Sequence, residues 1–287
     1  MTKKKESVSK VEKKQFNLEH KHHIKILKEN NFKKRQQLYK KAYSEFFEFM
    51  RTNFPEKKYF GYNKNFFNLY KHIFKGKSVV DYGCGYGKSS IEFARISKEV
   101  YGLDVDDSVI KEATKIAKSQ KVKNIKFNST KDFKIPLKTN SVDFVYSNDL
   151  TEHLHPDDLK IHVKEVLRIL KKGGYYICIT PNRFFGPHDI SKKFVKRGEP
   201  AQGLHLREYS YKELTGIFKK TGFRKVRTPM LNELLFAHIG LANLLSPFFK
   251  ILLFSPKYKF FLEGKAFRNK VLALLFHTWN VSLLAKK

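Results

Sequence analysis

The 287-residue chain predicts an α/β fold built on a mostly parallel sheet, and three observations carry that expectation. From Val79 onward, short apolar strands alternate with helix-compatible stretches, the pattern that requires crossover connections and a parallel sheet. The first strand runs into a turn with glycine at alternate positions, Gly83, Gly85 and Gly87. The second strand ends in Asp104, at the spacing of about 20 residues that puts a carboxylate beside that turn in a βαβ unit.

The elements follow in order. Strand one is Val79 to Tyr82 and is followed by helix Ser89 to Ile96. Strand two is Val100 to Asp104, and helix Ser108 to Ser119 takes Ser108 as its N-cap. Strand three is Ile125 to Asn128 and strand four Val142 to Ser147. After helix Asp157 to Leu170, Lys171-Lys172-Gly173-Gly174 turns into strand five, Tyr175 to Thr180. Helix Tyr211 to Thr221, strand six (Phe223 to Arg227) and a last strand, Asn280 to Lys287, complete the core. Before it lies an N-terminal helical arm. Gln36 to Met50 has apolar residues at helical spacing, and a second aromatic-rich helix covers Tyr62 to Phe74, ended by Gly76. Residues 31–76 are expected to form a lid over the crevice, and residues 77–228 the core.

Glycines at the first turn permit positive φ and let a ligand lie against bare backbone, while the N–H groups of the following helix face the crevice. The spacing is G-x-G-x-G, so neither the dinucleotide G-x-G-x-x-G nor the phosphate-loop pattern is met. Together with Asp104, the run Asp81 to Gly87 resembles the first two motifs of the class I S-adenosylmethionine-dependent methyltransferases. The resemblance implies S-adenosyl-L-methionine as cofactor, with Asp81, Gly83, Gly85 and Gly87 at its methionine end and Asp104 on the ribose. The run from Asn140 to Asn182 is similar to the fourth and fifth motifs of the same superfamily. A Rossmann-like seven-stranded sheet in the order 3-2-1-4-5-7-6 follows from that resemblance, with strand seven antiparallel and helices on both faces. The third motif departs from the family: Ser129-Thr130-Lys131-Asp132 stands where an acid often contacts adenine, and Asp132 is the candidate for that role.

The loop after strand four lies where the transferred methyl group should project, which makes Asn148 a further cofactor contact. It is not the N/D-P-P-Y motif of amide and adenine amine methylation. Asp149, Glu152 and His153 form D-x-x-E-H, and His205 follows downstream. This resembles the E-x-x-E-H plus histidine of magnesium-dependent O-methyltransferases. Three readings stand: a Mg2+ site made of Asp149, Glu152, His153 and His205; His153 or His205 as general base with Glu152 as orienter; or a structural corner. Arg183, His188 and Arg207 are candidates for gripping an anionic acceptor.

The net charge of +31 is unevenly distributed. Residues 1–75 hold 20 Lys+Arg against 7 Asp+Glu, residues 76–180 hold 18 against 14, and residues 181–287 hold 20 against 6. An anionic partner or a lysine-rich composition explains the excess equally, since arginine, the preferred reader of phosphates, is scarce. Residues 1–30 read as a basic, disordered or loosely helical tail, with His20, His22 and His23 as solvated surface. The two cysteines, Cys84 and Cys178, have neither disulfide nor zinc spacing, which fits a reducing, cytoplasmic setting. Between strands six and seven, residues 229–279 form an apolar insert whose uncharged stretch, Leu234 to Phe249, is too short to span a bilayer and is broken by Pro247. It reads as a helical cap, a dimer surface or an interfacial helix in peripheral contact with an anionic membrane. The function expected is methyl transfer to a small-molecule or lipid-linked acceptor at oxygen. RNA 2′-O-methylation and a non-catalytic binding role are the alternatives, nucleic acid being disfavoured because no RNA-binding module flanks the domain.

Overall fold

The computed structural model describes residues 8–55, 67, 71–196, 198–227 and 280–287. Seven strands form one sheet: β1 (Ser78–Tyr82), β2 (Glu99–Asp104), β3 (Ile125–Ser129), β4 (Val142–Asn148), β5 (Leu170–Pro181), β6 (Lys225–Arg227) and β7 (Asn280–Lys286). Their order is β3-β2-β1-β4-β5-β7-β6, with β7 antiparallel to both of its neighbours, as the resemblance implied. β1 is buried along its whole length, as the central strand of a doubly covered parallel sheet must be. On one face Val80, Val145, Leu159 and Phe218 share a core; on the other, Phe74, Phe93, Phe144 and Ile177 share a second. β1 pairs with β2 on one side and β4 on the other, so the strand order reverses there. A crevice opens at such a switch point, beyond the carboxyl ends of the strands.

The helices are α1 (Lys10–Lys28), α2 (Phe32–Asn53), α3 (Lys88–Ala94), α4 (Asp107–Ser119), α5 (Pro156–Ile169) and α6 (Tyr211–Thr221). Two local expectations change. Asp106 rather than Ser108 caps α4, its carboxylate accepting from the Ser108 and Val109 N–H groups. Lys171 to Gly174 lies within β5 rather than before it, as a bulge in which Gly173 takes φ +83 and the register with β4 shifts between Val142 and Phe144. Of the helix expected over Tyr62 to Phe74, residues 71–74 are helical and most of the remainder lies outside the described residues, as do residues 229–279. Among the described residues, no helix is long and apolar enough to cross a membrane.

The largest correction falls on the first 30 residues. Residues 10–28 form α1, opened by a reciprocal capping box between Ser9 and Glu12. Its inner face is polar and, apart from His22 Nδ1, hydrogen-bonded. The Glu19 carboxylate accepts from the Leu204 N–H at 3.0 Å, and the His20 and His23 rings reach the Gln202 and Gly203 carbonyls at 2.9 and 2.8 Å. His22 is buried on Glu45 of α2 at 2.8 Å, and Phe16 stacks on Phe194 with centroids 4.2 Å apart. His22 and His23 are therefore interior rather than surface.

α2 crosses the crevice and is fastened at both ends. Toward its start, Arg35 grips Asp158 of α5 bidentately at 2.8 and 2.5 Å, and Tyr39 donates to the same carboxylate at 2.9 Å. Arg35 also donates to the Glu29 and Asn30 carbonyls, and the His155 N–H donates to the Tyr39 hydroxyl at 2.7 Å. Further along, Ser44 donates to Asp106 at 2.6 Å and Arg51 to Ser108 at 3.0 Å, both at the head of α4.

Because Arg35 and Asp158 are both buried, removing one partner leaves an uncompensated interior charge. Arg35→Met is expected to lower unfolding stability by about 3–5 kcal/mol, and the double variant Arg35→Met/Asp158→Leu to recover much of it. Chemical denaturation of the two variants checks this; additive losses would contradict it.

Candidate active site

A cavity of about 720 Å3 occupies the crevice. Its floor is the glycine turn. Gly83 turns at φ +80, and the N–H groups of Gly83 and Cys84 both donate to the Leu103 carbonyl at 2.8 and 2.9 Å, tying the turn to β2. Gly85 donates to the Asp104 carboxylate at 2.9 Å, and a Cβ at Gly85 would meet nothing within 4 Å, so its backbone is open to the cavity. Asp104 lines the cavity with its carboxyl pushed up to about 6 by burial. Each of its oxygens accepts one backbone N–H, from Gly85 or Asp106, which leaves acceptor capacity for a diol.

The other two first-motif residues play different parts. Asp81 sits behind the turn, off the cavity wall; its carboxylate accepts from Ser90 of α3 at 2.5 Å, and burial pushes it up to about 7. Gly87 caps α3 in the left-handed region at φ +78, where a Cβ would stand 2.6 Å from Phe127 Cζ. It is required for close helix–sheet packing rather than for ligand contact. Asp132 is also displaced from its expected role. It is exposed in a turn at φ +55 and does not line the cavity, whereas its neighbours Thr130 and Phe133 do.

At the end of β4, Asn148, Asp149 and His153 line the cavity, with Asp149 held at φ +55 and its carboxylate accepting from the Asn148 amide at 2.7 Å. Strain of this kind at a strand end is common at functional sites. Glu152 points away from the cavity and is 0% exposed. One of its oxygens accepts from Thr180 at 2.8 Å; the other has no hydrogen-bond partner and lies 4.0 Å from His153 Nε2. Burial pushes this carboxyl up to about 8. The His153 Nδ1 contacts the Leu204 carbonyl at 3.0 Å. A carbonyl only accepts, so Nδ1 carries the hydrogen and Nε2 the lone pair. Burial, reinforced by the charge of His205, holds this ring down to about 3, and it is neutral at physiological pH.

His205 stands edge-on to His153, centroids 4.8 Å apart. Its Nδ1 lies 2.8 Å from Glu208, a buried carboxylate that also receives the His188 N–H at 2.7 Å. Burial opposes charging of His205, but the Glu208 hydrogen bond and the charges of Glu152, Asp189 and Glu208 outweigh it and push the ring up to about 9. Glu208 is held down at about 2, against its own burial, by the two histidines. The carboxylate hydrogen-bonded to His205 is thus Glu208, while Glu152, the orienter expected from the sequence, stands 4.0 Å from His153 Nε2. The H-x-x-E spacing from His205 is the signal that could have found Glu208.

The N-terminal helices complete the walls. Tyr43, Phe46, Phe47 and Met50 of α2 and Glu19 of α1 face the cavity. Burial raises Glu19 to about 7. Arg183 and Arg207 are absent from the walls: both donate to Glu213 of α6, at 2.8 and 2.9 Å. His188 does line the cavity.

Glu152, His153 and His205 bring ligand atoms within 4.8 Å of one another, but Asp149 is not among them. The expected Mg2+ does not suit this set. Magnesium favours carboxylate oxygens in octahedral geometry, whereas Asp149 stands outside the group, leaving Glu152 as its one carboxylate, and His205 is committed to Glu208 at 2.8 Å.

A family model described as a methyltransferase domain matches residues 73–222. The chain belongs to this methyltransferase family. Among relatives, it is 31% identical over 153 residues to a probable S-adenosylmethionine-dependent methyltransferase of Mycolicibacterium smegmatis, covering 53% of this chain and 54% of that protein. It is 27% identical over 171 residues to phosphoethanolamine N-methyltransferase 2 of Caenorhabditis elegans, covering 58% of this chain and 37% of that one. The chain thus spans about half the length, or less, of the curated relatives it matches. The Haemonchus contortus phosphoethanolamine N-methyltransferase 2 structure, solved with phosphomonomethylethanolamine and S-adenosylhomocysteine, shares the fold: TM-score 0.52 at 19% identity, over 80% of this chain and 54% of that one.

The Gly87 geometry yields a direct test. Gly87→Ala forces a left-handed non-glycine residue, at about 1–2 kcal/mol, and an overpacked contact with Phe127, at about 1–3 kcal/mol. A drop in unfolding free energy of about 2–5 kcal/mol is expected, whereas an unchanged melting curve would contradict the packing role.

Proposed function

We propose that this chain is an S-adenosylmethionine-dependent methyltransferase acting on a hydroxyl of an apolar small-molecule or lipid-linked acceptor. The observation that carries the reading is that the Gly85–Asp104 floor and His205, backed by Glu208, open onto one cavity that aromatic side chains of α2 also line. Asp104, with spare acceptor capacity beside bare glycine backbone, suits a ribose diol. The cofactor, when bound, supplies an activated methyl group on a sulfonium, so the protein's task is alignment of the acceptor and removal of its proton. In this reading Tyr43, Phe46, Phe47 and Met50 hold the acceptor's apolar body. The neutral form of His205 takes the hydroxyl proton as the O–C bond forms and the C–S bond breaks, leaving a methyl ether and S-adenosylhomocysteine. His153, neutral with a lone pair on Nε2, orients the hydroxyl. Glu208 is a positioning residue that sets the tautomer and basicity of His205.

The phosphoethanolamine relatives suggest a second reading, N-methylation of a phosphobase. It is less favoured here because a phosphate calls for cationic side chains, and Arg51 is the only lysine or arginine among the described residues that line the cavity. RNA methylation is less favoured for a similar reason: a cavity roofed by α2 with aromatic side chains suits a slender apolar molecule. Incubation with methyl-labelled cofactor and fractionated lysate separates the three; label in organic extract supports the apolar acceptor, whereas label confined to water-soluble phosphobases or to RNA overturns it.

Two further measurements bear on the site. Isothermal calorimetry of S-adenosylhomocysteine should show Asp104→Ala binding about 10–100-fold more weakly, the loss of about 1.5–3 kcal/mol expected for hydrogen bonds to a charged group; equal affinity would remove Asp104 from the ribose role. If neutral His205 is the base, kcat/KM rises about tenfold per pH unit and levels near pH 9. Glu208→Gln removes the carboxylate that stabilises the imidazolium, so the plateau moves to lower pH with a lower maximum. A wild-type profile flat between pH 6 and 9 would sink the assignment.

A further inference from the structure

The outer face of α1 carries Lys10, Lys13, Lys14, Lys21, Lys25 and Lys28, all exposed. At 100° per residue these six fall within about a third of the helix circumference and along about 27 Å of its length. The other exposed residues in that stripe are Asn17 and Ile24, the latter 37% exposed near its middle. The two acids of α1 lie on the opposite side, where Glu12 pairs with Lys193 at 2.5 Å and Glu19 reaches the cavity. Among the described residues, two acids lie near the stripe: Glu29, the C-cap of α1, which accepts from the Asn31 N–H at 2.8 Å, and Glu45 of α2. Glu45 holds His22 at 2.8 Å and stands 3.9 Å from both Lys21 and Lys41, so α2 adds Lys41 alongside. None of Lys10, Lys13, Lys14, Lys25 or Lys28 forms an ion pair with another described residue.

We propose that this lysine stripe is a docking surface for an anionic lipid membrane. A straight row of ammonium groups suits a smeared negative potential, to which each lysine near the surface contributes independently. Lysine is a point charge without the planar fork that reads phosphates and bases in fixed geometry. The stripe has no arginine and no aromatic side chain on which a base could stack, the two features that single-stranded nucleic acid sites combine with charge. The aromatic residue of α1, Phe16, is turned inward onto Phe194. Ile24 offers a small apolar contact at the centre of the row, as interfacial helices do. This surface is separate from the catalytic assignment: a chain inactive in methyl transfer would dock equally well.

The test uses the full chain with sedimenting vesicles of phosphatidylcholine alone or with one third phosphatidylglycerol, at 0.1 M KCl. Wild-type protein is expected to bind the anionic vesicles, not the neutral ones, and to be released at 0.5 M KCl, since surface charge is screened within a Debye length. The variant Lys10→Gln/Lys14→Gln/Lys25→Gln/Lys28→Gln should lose more than tenfold in vesicle affinity with its melting curve unchanged. Equal binding to neutral vesicles, salt-insensitive binding or undiminished binding by the variant would each overturn the proposal. So would lysine-dependent capture by an RNA homopolymer without vesicle binding, which would reassign the stripe to nucleic acid.

Discussion

The position of the acceptor wall depends on one buried ion pair. Asp158 is the third residue of α5 and sits where a carboxylate also favours the helix N-terminus. It receives two hydrogen bonds from Arg35 and one from Tyr39. A buried pair gains little net stability when compared with apolar residues of the same shape, because desolvation offsets most of the Coulomb attraction. Its contribution here is positional. Tyr39 also receives the His155 N–H, so the same cluster joins the lid helix to the segment that immediately follows His153. With Ser44 and Arg51 fixed on the head of α4, α2 is tied to both sides of the point where the strand order reverses. Its aromatic residues have no freedom to leave the crevice without breaking interior hydrogen bonds.

That constraint explains the electrostatics of the site. Roofed by α2, the strand-four loop is dry enough for burial to dominate: Glu152 is pushed up to about 8 and His153 down to about 3. One group in this corner goes the other way. His205 is driven up to about 9 because Glu208 makes a direct hydrogen bond to it, and Glu208 itself stays ionised because His188 and His205 share its charge. Two imidazoles whose centroids are 4.8 Å apart thus hold opposite protonation states, and environments that separate the pKa values of neighbouring groups are the usual mark of distinct chemical roles.

Much of this was legible in the sequence wherever local pattern and burial agree. The β1 turn, Asp104 and the sheet order all follow from strand periodicity, glycine spacing and motif resemblance, and they match the structure. The sequence failed where a partner lies far along the chain. α1 looked like a solvated tail because its inner face is histidine and glutamate rather than leucine; those side chains are buried only because backbone groups about 180 residues later accept or donate to them. Asp81 and Asp132 were assigned to the ligand by motif position, yet Ser90 occupies the first and a left-handed turn exposes the second. Arg183 and Arg207 read as anion grips until Glu213, on the next helix, is seen to satisfy both. Glu208 was overlooked although its H-x-x-E spacing from His205 was the available cue, and its hydrogen bond to that ring emerges only in the structure.

The sheet and the N-terminal hairpin therefore divide the site. The Gly83, Gly85 and Asp104 floor of the cavity comes from β1, β2 and the turn between β1 and α3, whose geometry is set by strand pairing and by glycines at positive φ. The facing wall comes from α1, α2 and the segment from His188 to His205, held to one another by hydrogen bonds that involve Glu19, His20 and His23. Those contacts are few and polar, so they cost less to rearrange than the sheet does and can vary without disturbing the fold. α1 is then a single layer, with Glu19 in the cavity on one side and the lysine row in solvent on the other.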